Sequence, residues 1–155
     1  MKAITLWEPW ASLMAIGAKV NETRGVRTSH RGDICIHAAK ADRGVPDSIY
    51  HRVLDLLTDP KNRPIPTAKD MGCILAVVEL WDVQPSHKFL INPKNNSGFF
   101  NLTEDEYAFG NYSIGCWIYR TRNLRRLKNP VPCRGAQSIG WTVPPDVEAK
   151  VRAQL

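Results

Sequence analysis

The sequence predicts an α+β fold, a small mixed β-barrel with flanking short helices. Three observations carry that reading. Five or six short β-favouring runs are dispersed along the 155 residues, with no regular alternation with long helices. Three short amphipathic stretches separate them. The length is that of one domain, typically about 100–150 residues, and a 43% hydrophobic composition supplies a core without staples. Regular strand–helix alternation would predict a doubly wound sheet instead.

Ala3-Ile4-Thr5-Leu6-Trp7 is a first strand, broken by Glu8-Pro9. Pro9 suits the first turn of a helix, where its missing N–H leaves no bond unmade. Trp10, Leu13, Met14 and Gly17 then fall at helical spacing, so residues 9–16 form a short helix that Gly17 stops. Residues 19–24 fit a strand. Val20, Glu22 and Arg24 would share one face, and Lys19, Asn21 and Thr23 the other, unless a turn at Gly17 re-aims Lys19. A polar loop over residues 27–33 leads into Ile34-Cys35-Ile36-His37-Ala38, an apolar strand buried apart from His37. Residues 40–45 read as a polar linker. Pro46-Asp47 opens a helix to about Leu57, with Ile49, Val53, Leu56 and Leu57 on one face. Pro60, Pro64 and Pro66 mark a rigid loop.

Residues 72–83 hold the strongest strand, whose run Cys73-Ile74-Leu75-Ala76-Val77-Val78 is central and mostly buried. Asn95-Asn96-Ser97-Gly98 is a turn, and Phe99-Phe100 an aromatic pair that must dock. Thr103 and Glu106 have capping-box spacing, which starts a helical turn. Residues 114–127 form a strand ending in a basic run of Arg120, Arg122, Arg125, Arg126 and Lys128. Pro130-Val131-Pro132 is extended, residues 133–138 are a loop, residues 139–143 a last short strand, and Pro144-Pro145 starts a helix carrying Val147 and Val151. No repeat or linker divides the chain, so residues 1–155 are expected to be a single domain.

The net charge of +6 favours phosphate- or carboxylate-bearing partners, through long-range attraction and counterion release. Cys35, Cys73, Cys116 and Cys133 form no C-x-x-C pair, so a zinc knuckle is not expected, and no other metal-ligand spacing stands out. Apolar surroundings make three of them small core residues of a reduced, cytoplasmic protein. No apolar run approaches the ~18–20 residues of a membrane span, and no cofactor is implied.

The densest chemistry lies in Gly17-Ala18-Lys19-Val20-Asn21-Glu22-Thr23-Arg24. This Gly17-x-Lys19-x-x-Glu22-x-Arg24 pattern resembles the G-x-K-x-x-E-x-R signature of the ASCH family, in the PUA-like superfamily. Trp7-Glu8-Pro9-Trp10-Ala11 is similar to that family's Q-P-W opening, and Arg31-Gly32-Asp33-Ile34-Cys35-Ile36-His37-Ala38 to its R-G-x-hydrophobic-x-I-H-A strand. Pro132-Cys133-Arg134-Gly135-Ala136-Gln137 is similar to its late P-x-x-G-x-Q loop. The resemblance spans about residues 3–143. It implies a PUA-like barrel, a cleft lined by the signature, and binding of RNA or a nucleotide. It also implies two alternatives: a hydrolase acting on N4-acetylcytidine or on RNA, or a protein-interaction module in transcription or translation.

Each candidate side chain carries two readings. Lys19 is a phosphate-binding cation or a base, or a surface lysine after a helix. Glu22 is a general acid/base, or an ion-pair partner that shapes the cleft. Arg24 clamps phosphate or holds Glu22. The amidohydrolase relatives place threonine three residues after the lysine. Here Glu22 stands there and Thr23 follows, which disfavours a threonine nucleophile. The third, acidic member of that constellation could be Glu79, Glu104 or Glu106. Trp7 and Trp10, flanking Pro9, stack on bases or fill the core. His37 reads as a core histidine. Arg31, Lys40, Arg43, Arg125, Arg126 and Arg134 are candidate phosphate contacts, and Gln137 a base-edge reader.

Overall fold

A computed structural model describes residues 1–42, 44–62, 70–88 and 102–155. The expected turn at Asn95-Asn96-Ser97-Gly98, the Phe99-Phe100 pair, Arg43, Pro64 and Pro66 lie outside the described residues.

Strand β1, Lys2–Glu8, alternates buried and less buried residues, and helix α1, Trp10–Ala15, follows from Pro9 at its cap. Gly17 ends the turn with a positive φ of 78°, which lets the Lys19 N–H reach back to the Leu13 carbonyl at 3.1 Å. A Cβ there would also lie 3.3 Å from Leu124 Cδ2. Strand β2 is only Asn21–Arg24, so Lys19 belongs to the turn and not to the strand alternation.

Strand β3, Gly32–Asp42, runs four residues beyond the expected apolar core, into the first residues of the stretch expected to be a linker. The reason is its parallel partner: β1 pairs from Lys2↔Ile34 to Glu8↔Asp42, so the ladder carries polar residues past the apolar run. A short 3-10 turn at Asp47–Ile49 precedes α2, Tyr50–Thr58. Strand β4, Cys73–Pro85, is the buried central strand that its apolar run implies. Helix α3, Glu104–Ala108, is capped by Thr103, whose hydroxyl accepts the Glu106 N–H at 3.1 Å. Strand β5, Trp117–Pro132, absorbs the extended Pro130-Val131-Pro132 segment, and β6, Trp141–Thr142, and α4, Pro145–Arg152, complete the chain.

These strands make one mixed sheet in the order β2-β5-β4-β3-β1-β6. The α+β class is as expected, but the described strands do not close into a ring. Closure is instead approached by a side chain: Arg24, on edge strand β2, donates from Nη2 to the Thr5 carbonyl of β1 at 2.7 Å, although three strands separate β2 from β1 in the sheet. The sheet therefore rolls until its two sides meet.

Period-2 alternation sorts the two faces. Ile4, Leu6, Ile34 and Ile36 pack with Ala11, Met14 and Ala15 of α1. Ala3, Cys35, Ile74 and Val77 pack with Val147 and Val151 of α4. Thr5 and His37, paired across β1 and β3, continue the second face beyond the residues packed on α4.

Candidate functional site

Two polar assemblies lie on either side of Arg24. The first is interior. Lys19 is 3% exposed. Its ammonium donates to the Asn21 carbonyl and lies 3.4 Å from Glu22 Oε2 and 4.0 Å from Glu106 Oε1. Glu22 Oε1 is 3.0 Å from Arg24 Nε, so Glu22 bridges the two cations. Glu22 and Arg24 thus do meet from one strand face. Thr23 faces elsewhere, its hydroxyl accepting the Asn111 N–H at 3.1 Å.

Glu106 is the second acid of this assembly. Its carboxylate accepts the Val20 and Asn21 N–H groups at 2.7 and 2.9 Å and the Tyr112 hydroxyl at 3.0 Å. Burial, reinforced by the adjacent Glu106 charge, pushes the Tyr112 phenol well above its ordinary range. The capping-box spacing located Glu106, but its carboxylate serves β2 and not its own helix. No sequence signal marked Tyr112.

The second assembly is a cleft of about 1090 Å³ at the ends of β1 and β3. Thr5, Trp7 and Arg24 form one side, His37, Ala39, Lys40 and Ala41 the floor, and residues 71–73 and 132–137 the far side. Arg134 and Gln137 are exposed there. Arg24 is the one signature residue that lines it.

His37 is 2% exposed and closes the floor. Nε2 bonds the Cys133 carbonyl at 2.9 Å, which requires Nε2–H and leaves Nδ1 as an acceptor without a partner among the described residues. Burial holds the imidazole below its ordinary pKa, against the Cys133 carbonyl, which raises it, so it is neutral near pH 7. Trp141 meets the ring edge-on at 5.6 Å. Gly135 is required beside it: a Cβ would stand 2.3 Å from His37 Cε1 and 2.9 Å from Thr5 Oγ1. Thr5 Oγ1 in turn donates to the Ala136 carbonyl at 2.8 Å and accepts from Trp141 Nε1 at 3.1 Å, which fixes the 133–137 loop. The sequence flagged His37 as core. Its pairing with Thr5 in parallel strands is what brings it to the cleft, and no local pattern encodes that.

The other candidates scatter. Trp10 packs in the core, 6.3 Å from Phe109, and Pro9 is buried at the helix cap. Arg31 is exposed and bonds the Thr28 and His30 carbonyls, outside the cleft lining. The basic run of β5 is largely neutralised: Arg120 pairs with Asp82 at 3.4 Å, Arg122 with Glu79 at 2.7 Å, and Arg125 with Asp33. Arg120 and Arg122 also lie over Trp81, at 4.1 and 5.4 Å. Arg126 donates to the Asn62 carbonyl at 2.8 Å, and burial pulls its guanidinium below the usual value. Among the described residues, no group of three His, Cys, Asp or Glu side chains could hold a metal ion. No described helix is long and apolar enough to cross a membrane.

Comparison with known proteins adds to this geometry. The sequence profile described as the ASCH domain matches residues 4–109. No curated protein sequence matches significantly. The structure is similar to the crystal structure of ASCH from Zymomonas mobilis, at 15% identity and a TM-score of 0.54, covering 98% of this chain and 93% of that one. A tyrosine-to-phenylalanine variant of the Zymomonas mobilis protein matches at 14% identity and a TM-score of 0.52, over 98% and 96% of the two chains. A serine-to-alanine variant matches at 15% and 0.51, over 98% and 93%.

Proposed function

This chain belongs to the ASCH domain family, and from that premise we propose that it binds RNA or a nucleotide in the cleft beside Arg24. One observation carries the reading. Among the described residues that line the cleft, Arg24, Lys40 and Arg134 are cationic and none is Asp or Glu. Such a pocket attracts a polyanion and desolvates no carboxylate against it. Trp7 offers a ring for stacking, worth about 1–3 kcal/mol per base. Gln137 offers hydrogen-bonding groups for a base edge. A single strand fits this chemistry, since its bases are free to leave the stack.

The test is fluorescence anisotropy of a labelled single-stranded RNA across a salt series. Saturable binding whose log affinity falls linearly with log salt is expected, with Trp7→Ala weakening it at every salt concentration. Absence of saturable binding at low salt sinks the proposal.

A second reading, a hydrolase of a nucleoside amide or an RNA phosphodiester, draws on the Lys19 ammonium held 3.4 Å from Glu22. Buried ionisable groups in contact are common at reactive centres. Incubation with N4-acetylcytidine and with RNA, with and without divalent metal, should then give product that Lys19→Ala and Glu22→Ala abolish without unfolding. No product from the wild type removes this reading.

A further inference from the structure

We propose that the cleft recognises its ligand by phosphate, through Lys40 and Arg134 acting as a pair. It then takes phosphate-bearing nucleotides and discriminates against free nucleosides. This rests on the reading of the cleft as a nucleotide site and names the group that site holds.

Arg24, the third cation of the cleft, is already committed to Glu22 at 3.0 Å and to the Thr5 carbonyl at 2.7 Å. Lys40 and Arg134 have no such partner: both are exposed, and neither forms an ion pair or side-chain hydrogen bond among the described residues. The contrast with Arg120, Arg122 and Arg125, each paired with a carboxylate, is sharp.

Gly72 holds the pair together. Its N–H donates to the Ala38 carbonyl of β3 at 2.8 Å, and its carbonyl accepts the Cys133 N–H at 2.9 Å. The strand that carries Lys40 and the loop that carries Arg134 are thus fastened to one residue. Gly72 has a φ of 76°, and a Cβ there would lie 2.9 Å from Lys40 Cε and Cγ. The lysine stem therefore lies across the glycine, and Lys40 lines the cleft there. An ammonium supplies a point charge and a guanidinium a planar fork, a combination that serves phosphate oxygens and leaves a neutral nucleoside without its main anchor.

The experiment is calorimetric titration of the wild type, Lys40→Ala, Arg134→Ala and the double variant. The ligands are the four ribonucleoside 5′-monophosphates, their nucleosides, and the dinucleoside monophosphate ApA, which carries only a diester. The wild type is expected to bind at least one phosphate-bearing ligand about tenfold or more tighter than its nucleoside. Each substitution should narrow that ratio and the double variant should erase it, with nucleoside affinity and thermal midpoint unchanged. Tight ApA binding identifies an internal diester as the source of the phosphate; tight monophosphate binding identifies a terminal group. Equal affinity for nucleotide and nucleoside in the wild type, or an unchanged ratio in the double variant, overturns the inference while the nucleotide site stands. If single-stranded RNA also fails to bind, the nucleotide-site reading itself has failed.

Discussion

Two charged regions of this molecule share Arg24 and differ in almost everything else. In the Lys19–Glu22–Glu106 assembly every charge has an opposite neighbour, and the side chains are nearly out of solvent. In the cleft, Lys40 and Arg134 are exposed and form no ion pair among the described residues. Buried charges survive only when paired and hydrogen-bonded, and the first region meets that condition. Exposed, unpaired charges contribute little to folding and stay available for a ligand. The densest motif in the sequence is therefore a clasp: it anchors Arg24, which reaches across the rolled sheet to Thr5. The free cations come from two segments that no motif joins.

The contrast breaks most directly at Lys19. Lys19→Met keeps the volume and leaves Glu106 with no cation among the described residues and Glu22 with Arg24 alone, so a loss of up to about 3–5 kcal/mol in unfolding free energy is expected. Adding Glu106→Gln should restore part of it, because the carboxylate left without a cation is gone. Chemical denaturation of the three proteins reads this out. A Lys19→Met protein as stable as wild type would show that the clasp does not hold the fold, and would strengthen the hydrolase reading of the same lysine.

Next in size is the cleft wall. Gly135→Ala places a methyl 2.3 Å from His37 Cε1, against a ring already confined by Trp141 and the Cys133 carbonyl. Overpacking of this kind costs about 1–3 kcal/mol. Because the 133–137 loop carries Arg134 and Gln137, this variant should also weaken RNA binding. Equal stability and affinity would show that the loop yields freely.

A smaller effect separates the regions by pH. His37 is held below its ordinary pKa by burial, so the folded state disfavours the proton that the unfolded chain takes up near pH 6.5. Its contribution to stability is fully present above that value and is lost as the pH falls below it. His37→Gln retains a donor for the Cys133 carbonyl and should flatten that part of the pH–stability curve. An unchanged curve would assign the acid sensitivity to other groups.

The sequence made the elements readable where one period dominated, as in the alternation of β1 and the apolar run of β4. It misplaced the end of β3, because Lys40, Ala41 and Asp42 are held by a ladder to β1 and not by their own propensity. The open sheet was hidden for a similar reason: closure depends on which edges bond, and Arg24 substitutes a side chain for a ladder. Lys19, Glu22 and Arg24 were visible as a group; the Glu22–Arg24 pairing followed from strand geometry, whereas Lys19 reaches Glu22 from the turn after Gly17. Thr5 and His37 were not, since each acts through a partner distant in sequence: Ala136 lies 131 residues from Thr5, and Cys133 lies 96 from His37. Glu106 was one of three acidic candidates, and its contact with Asn21, 85 residues away, is what singles it out.

The least disruptive test contrasts the β5 run with the cleft pair. Arg125 and Arg126 are two of the densest basic residues in the sequence, and composition alone makes them candidates to track an RNA backbone. Their side chains are already engaged, Arg125 with Asp33 and Arg126 with the Asn62 carbonyl. Binding a phosphate would require each to give up that contact, so the net gain is small. Arg125→Gln with Arg126→Gln should therefore change RNA affinity at low salt by less than about threefold, under 1 kcal/mol, while Lys40→Ala with Arg134→Ala lowers it about tenfold or more. Anisotropy titrations of the two double variants against one RNA decide the matter. A larger loss from the β5 variant would put the strand run in contact with nucleic acid and show that paired arginines exchange partners readily on this surface.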